Sequence, residues 1–493
     1  MRVWFTNAFG RKSLAAFLVV LLGCAVDAAA LTFTVTSTGD GADAAPGNGV
    51  CAVAGGGGCT LRAAVQEANA LAGPDTIHFA IGSGAQQILG SAVAITGPVV
   101  IDGWTQPGFS GTPLIQVRGG MTISGSGTTI RGLVVNGGAG AGIQVNGGGN
   151  HVFEGNYVGL DVTGATAVPN DGSGIRFSNS SNNRIGGTTP QQRNVISGNT
   201  PKGNGGGLEF DGGSGNQIKG NYIGTDVTGM LDRGNDGRGI ALSGSVNNVI
   251  GGPEPGAGNL IAGNWATGIR ILGGSNGTLV QGNIIGINAA LNAALSNDRG
   301  VQIRGSHNNQ VIGNTIGGQV YDGVLLWENS NNNRVFYNTV VYNGWGNRDP
   351  TEEAFNGVMV WDGVGNYVIG NRAWGNRDLG LRVGPAAAAT APTPPTVTNA
   401  VVTGGTTTIT GQVTGPAGIE YVVDLFVSSE CDWNGAGEGE YALGQVRVTA
   451  GANGVATFNV GIGAALPVGW LVTTTATKAN ANTSGYSTCK AIQ

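Results

Sequence analysis

The chain has 493 residues, of which 93 are glycine; charged residues make up only 11%, hydrophobic residues 40%, and the formal net charge is −5. Glycine at that density weakens helices by roughly 1 kcal/mol per site and excludes an ordinary helical or doubly wound enzyme. The normal apolar content excludes disorder, the lack of an every-third glycine period excludes collagen, and the absence of any basic stripe excludes nucleic acid as a partner.

Met1 to Ala30 reads as a secretory signal peptide. Arg2, Arg11 and Lys12 supply the basic start, Leu14 to Val26 an apolar run too short to span a bilayer, and Ala28-Ala29-Ala30 a small-residue cleavage site. A second reading is a lipoprotein signal, with Leu21-Leu22-Gly23-Cys24 placing a lipid on Cys24. Both readings put the protein outside the cytoplasm, secreted or at the cell surface, with no transmembrane segment in the mature chain. Four cysteines then remain: Cys51, Cys59, Cys431 and Cys489. An even number in an exported chain reads as disulfides. Of three possible pairings, Cys51 with Cys59 and Cys431 with Cys489 respects the domain boundary drawn below.

Residues 31–87 form an N-terminal cap region. Within it, Thr60 to Ala72 is predicted as a helix, with Thr60 as its cap and Leu61, Ala64, Val65 and Ala68 as its apolar face. Such a helix would close the first turn of a stack whose open end exposes core and strand edges.

From residue 88 to 383 the chain repeats. Gly142-Ile-Gln-Val, Gly174-Ile-Arg-Phe and Gly207-Leu-Glu-Phe begin a series of glycine–apolar–variable–apolar segments that ends at Gly380-Leu-Arg-Val, in steps of 23 to 34 residues. Each is a short strand with one apolar side. An Asn-x-apolar element follows (Asn150, Asn183, Asn216, Asn248, Asn309, Asn333, Asn366), and then a Gly-Asn or Tyr-Asn step (Asn156, Asn221, Asn283, Asn314, Asn338, Asn371). Three short strands with polar corners at this period predict a parallel β-solenoid, with stacked asparagines satisfying one another and tolerating the left-handed corner conformation. Gly155-Asn-Tyr-Val-Gly-Leu-Asp recurs 65 residues later as Gly220-Asn-Tyr-Ile-Gly-Thr-Asp, and Asn170-Asp171, Asn235-Asp236 and Asn297-Asp298 share one phase, so paired coils form a super-repeat.

Cys59-Thr-Leu-Arg-Ala-Ala-Val-Gln-Glu-Ala-Asn69, Ile101-Asp-Gly-Trp-Thr-Gln-Pro-Gly108 and the Gly-Asn-Tyr-Ile-Gly-Thr-Asp element resemble bacterial right-handed parallel β-helix proteins with a CSLREA-type N-terminal region. Ala63 stands where that pattern usually has Glu. The resemblance spans Leu31 to Val383; it implies the fold and export, and no particular reaction.

Residues 384–396, rich in Ala, Pro and Thr, read as a linker. Residues 397–493 alternate short β runs with turns and predict an immunoglobulin-like β-sandwich. The fold class expected is all-β: a right-handed parallel β-helix with an N-terminal capping helix, followed by that sandwich.

His78, His151 and His307 are the only histidines and lie far apart, giving no support to a zinc site or a Ser-His-Asp triad. Asp161, Asp226, Asp171, Asp236 and Asp298 read as turn-closing residues in preference to Ca²⁺ ligands. No cofactor and no metal is expected; Ca²⁺ is the one ion to consider, without a motif.

The outward side of the glycine-led strands changes character late. A bland column becomes Arg304, then Trp327-Glu328, then Trp361-Asp362 on three successive coils, stacked about 4.8 Å apart. Ten aromatic residues lie between Gly300 and Arg382, and the long step after Gly323 leaves an insertion, Tyr342 to Asn356, to wall a groove. Indole faces stack on sugar rings while carboxylates and guanidinia bond hydroxyls. Trp327, Trp361, Arg304, Trp345, Asp349 and Glu352 are therefore the candidate substrate-binding residues. No motif fixes a catalytic set; Glu328, Asp362 and Arg304 are the candidates, since carboxylates about 5 Å apart suit retaining glycoside hydrolysis. Three functions compete: binding an extended polysaccharide or cell-surface glycan, lyase or hydrolase action at the same face, and a structural adhesin without a glycan site.

Overall fold

The structure is a computed structural model that describes residues 30–90, 93–200, 205–346 and 355–493. The signal segment with Cys24, and Asp349 and Glu352 of the insertion, lie outside the described residues.

Strands only two to six residues long cannot bury a core in one layer, so the chain coils. Successive coils feed three parallel sheets: the first with 12 strands, the second and third with 11 each. The glycine-led segments are the second sheet, from Ile143–Asn146 to Leu381–Val383; the Asn-x-apolar elements fall in the first sheet and the Gly-Asn steps lead into the third. Register is kept from coil to coil, as in Ile143↔Ile175↔Leu208 and Val145↔Phe177↔Phe210. Equivalent residues therefore stack inward along the axis. Phe177 and Phe210 lie face to face at 4.5 Å, and Phe153 meets Phe177 edge-on at 5.6 Å.

Every corner carries a ladder of buried amides. Between the first and third sheets, eight asparagines from Asn156 to Asn371 are joined by seven Nδ2–H to Oδ1 bonds of 2.9–3.0 Å. Between the second and first sheets, Asn183, Asn216 and Asn248 form one run, and Asn309, Asn333 and Asn366 another. In the early coil of that corner the ladder position belongs to His151, whose N–H reaches Asn183 Oδ1 at 3.0 Å, while Asn150 takes the left-handed turn (φ 57°). The third corner has its own ladder, Asn170–Asn199–Asn235–Asn264–Asn297, continued by Gln319. The asparagines of the Asn-Asp super-repeat belong to it.

The region 31–87 does more than cap. Thr32–Val35 and Asp75–Phe79 are the first two strands of the first sheet. Helix α1 (Leu61–Ala70) starts where expected: Thr60 Oγ1 accepts the Ala63 N–H at 3.0 Å, and Leu61, Ala64, Val65 and Ala68 are buried. Cys51 and Cys59 are disulfide-bonded just before it.

Residues 384–396 contain a short helix, α2 (Pro385–Ala388), and Ala387 is buried in the β-helix core. Beyond it, two antiparallel sheets face each other. One orders Thr396–Thr403, Thr406–Thr414 and Val455–Ile462; the other orders Tyr441–Thr449, Glu420–Ser428, Leu471–Lys478 and Lys490–Ala491. Strand order one–two–five against four–three–six–seven is that of an immunoglobulin-like sandwich. Cys431 and Cys489 are bonded. The sandwich also closes the solenoid. Asn482 Oδ1 accepts the Asn366 N–H and Thr483 Oγ1 the Val368 N–H, both at 2.9 Å, and Phe426 and Tyr486 join the β-helix core.

Candidate functional site

Strand register builds the late-coil face from the backbone up. Arg304 is paired with Trp327 across the second sheet, and Leu326 with Val360. The Trp361 N–H bonds Leu326 O at 2.9 Å, which carries the same column on to Trp361. The Arg304 guanidinium lies 5.1 Å from the Trp327 ring centroid, and its Nη2 is 2.6 Å from Glu328 Oε1. Trp361 is 44% exposed and Trp327 half-buried. The result is a cation and two indoles in line along the axis.

The two acids are held in different ways. Glu328 and Asn329 both have positive φ (53° and 57°), turning the chain sharply off the strand and swinging the Glu328 carboxylate back to Arg304. That hydrogen bond keeps the Glu328 carboxyl below its ordinary range. Asp362 instead accepts the Asn329 N–H at 2.9 Å. A general acid for glycoside cleavage needs a carboxyl that retains its proton, and Glu328 is tuned the opposite way.

Trp345 stands apart from this column. It follows the third sheet, at the far end of the second-sheet strands from Trp327 and Trp361; it is 63% exposed, and its Nε1–H bonds Gly375 O at 2.8 Å.

Sequence reading begins two residues after each strand glycine and misses the residue just before it. That position also contributes to the second sheet's rim: Arg238, Thr267, Arg299, Asp322 and Asn356 occupy it on successive coils, the last four accepting at their carbonyls from the glycine N–H groups of the preceding coils. The residue-by-residue phase of the repeat is the signal that finds them. Asp322 is fully buried; its Oδ1 accepts the Asn356 N–H at 3.0 Å and Nδ2–H at 3.1 Å, and Arg299 Nε lies 3.9 Å from Oδ2. Burial pushes its carboxyl up to about 6, against the pull of Asn356 and the nearby arginines. In the next column, Arg270 sits between Ala241 and Gln302. Burial pushes its guanidinium down to about 10, and Arg238, Arg304 and Arg299 add to the effect.

Two of the recurrent acids, Asp161 and Asp226, close their own loops. Asp161 accepts from Thr163 Oγ1 and the Thr166 N–H, and Asp226 from Thr228 Oγ1 and the Leu231 N–H.

A family model described as "Right handed beta helix region" matches residues 119–285, and one described as "Periplasmic copper-binding protein (NosD)" matches residues 227–352. Together with three long parallel sheets, these matches identify the chain as a right-handed parallel β-helix repeat protein. Among solved structures it is similar to the alginate lyase from Paenibacillus sp. str. FPU-7 at 16% identity, over 72% of this chain and 99% of that one, with a TM-score of 0.32. It is likewise similar to the A-module of the Azotobacter vinelandii mannuronan C-5 epimerase AlgE6, at 14% identity over 66% and 88%, with a TM-score of 0.33. A pectate lyase aligns at 16% identity over 74% and 84%, with a TM-score of 0.28. A search of curated protein sequences finds no match.

Proposed function

We propose that this chain is an exported protein that binds an extended polysaccharide on the outer face of its second sheet. One observation carries the reading: Arg304, Trp327 and Trp361 follow one another in strand register on adjacent coils, on a surface fixed by the sheet beneath. A sugar chain lying along the axis then meets flat rings at a regular step, and no loop has to be ordered before it binds. Binding is favoured over hydrolysis because the Glu328 carboxylate is already engaged by Arg304 at 2.6 Å. The two disulfides support a home in an oxidising compartment, and no helix among the described residues is long and apolar enough to cross a membrane.

The copper in the NosD description finds no matching donor set. Residues 227–352 contain one histidine, one methionine and no cysteine. That histidine, His307, accepts the Asn331 N–H on its Nδ1 at 3.1 Å. Thiolate, thioether and imidazole are the side chains that favour copper, and this segment offers only that histidine and Met230.

The test is affinity electrophoresis through gels loaded with a panel of charged and neutral polysaccharides, with reducing ends and absorbance of unsaturated products followed in parallel. Retardation without products, lost in the double variant Trp327→Ala/Trp361→Ala, is expected. Failure of the wild type to be retarded by every polymer refutes the reading, and product release abolished in Glu328→Gln replaces it with catalysis.

A further inference from the structure

The outer face of the second sheet concentrates one sign of charge on three successive coils. Arg238 stands before Gly239 on the first, Arg270 lies two residues past Gly268 on the next, and Arg299 and Arg304 flank Gln302 on the third. Of the acids that border this group, Asp211 takes Arg176 at 2.7 Å and Glu209 takes Ser173 Oγ at 2.8 Å, while Glu328 pairs with Arg304 at 2.6 Å and Asp322 lies 3.9 Å from Arg299.

Arg270 is the informative member. Its neighbours along the column are the small Ala241 and the buried Gln302, and its Nε is buried with no hydrogen-bond partner among the described residues. A half-buried guanidinium facing three others carries a desolvation penalty and a repulsion that Glu328 offsets only in part. Such a penalty is removed when an anion arrives, and a planar guanidinium suits the two oxygens of a carboxylate or a sulfate ester.

We propose that Arg270, set among Arg238, Arg299 and Arg304, binds the carboxylate or sulfate groups of an anionic polysaccharide. The inference rests on the glycan-binding reading of this face and makes it specific: the indoles of Trp327 and Trp361 hold the sugar ring, and the arginine group upstream selects charged polymers over neutral ones.

The experiment compares polygalacturonate, dextran sulfate and unmodified dextran by affinity electrophoresis and calorimetric titration with the full chain. The wild type is expected to bind polygalacturonate, dextran sulfate or both, to ignore dextran, and to weaken steeply as salt rises from about 0.05 to about 0.5 M. Which polyanion binds distinguishes carboxylate from sulfate. Arg270→Gln is expected to lose at least tenfold in polyanion affinity with no fall in melting temperature, because it relieves repulsion in the free protein. Arg270→Lys, which keeps the charge without the two-pronged donor, is expected to lose several-fold and guards against a folding defect in the first variant. Polyanion binding unchanged in Arg270→Gln, or equal salt-insensitive binding of dextran, overturns the inference while leaving glycan binding intact. Failure to bind any of the three and any polymer of the wider panel removes both.

Discussion

Removing one rung of the ladder between the first and third sheets has a calculable cost. Asn259 is 1% exposed, and its side chain makes four hydrogen bonds. Its Oδ1 accepts the Asn221 N–H at 2.9 Å and Nδ2–H at 3.0 Å; its own Nδ2–H groups reach Ile218 O at 2.8 Å and Asn283 Oδ1 at 2.9 Å. Asn221 Nδ2 has further acceptors at Ile185 O and Lys219 O, so Asn259→Ala mainly strands the Asn221 N–H and removes the side-chain donor to Ile218 O. Stranding a buried polar group costs about 1–3 kcal/mol, and the small void adds to it. The sum is about 3 kcal/mol. Urea unfolding measures it, with Asn146→Ala as the control; Asn146 is exposed on the outer face, and its loss should stay within about 0.5 kcal/mol. Because coils are coupled to their nearest neighbours, hydrogen exchange should quicken first at the Asn221 amide and its adjacent coils. A cost below about 1 kcal/mol, or the same cost for both variants, refutes the view that the amide ladders hold the corners.

The remaining predictions concern the two ends. Thr60→Ala removes the N-cap of α1 and should lower stability by about 1 kcal/mol, measured by urea unfolding. Where the sandwich meets the last coils, burial pushes the carboxyls of Glu438 to about 8, Asp432 to about 7 and Asp424 to about 6; Asp432 adds to the rise at Glu438, and Asp378 to that at Asp432. In the folded protein these groups keep their protons up to about pH 6 to 8, whereas in the unfolded chain they lose them near pH 4. Stability is therefore fully present below about pH 4 and falls as the pH rises through 6 to 8; Glu438→Gln should flatten the upper part of a melting-temperature-against-pH curve. Reducing Cys431–Cys489, which closes a separation of 58 residues, should cost about 2–4 kcal/mol, and Cys431→Ser with Cys489→Ser should reproduce that loss in urea.

The sequence by itself determined the winding, because the signals for it are local. Glycine followed by apolar residues at period two marks a strand wherever it occurs, and Thr60 with the apolar face after it marks α1. Neither depends on the rest of the chain. The column Arg304–Trp327–Trp361 was legible for the same reason: each residue keeps a fixed offset from its own glycine. Tertiary structure decided what depends on neighbours in space. Steps of 23 to 34 residues hide which amides meet, so the ladder through Asn170 and Asn199, and the place of His151 beside Asn183, appeared only in three dimensions. The arginine group emerged only when Arg238, Arg270, Arg299 and Arg304 were brought onto one face. The sandwich's role as a lid rests on Asn482, 116 residues from the Asn366 amide it satisfies. A short apolar period fixes where a strand runs; the partner of a buried polar group is set by whichever distant segment supplies the missing hydrogen bond.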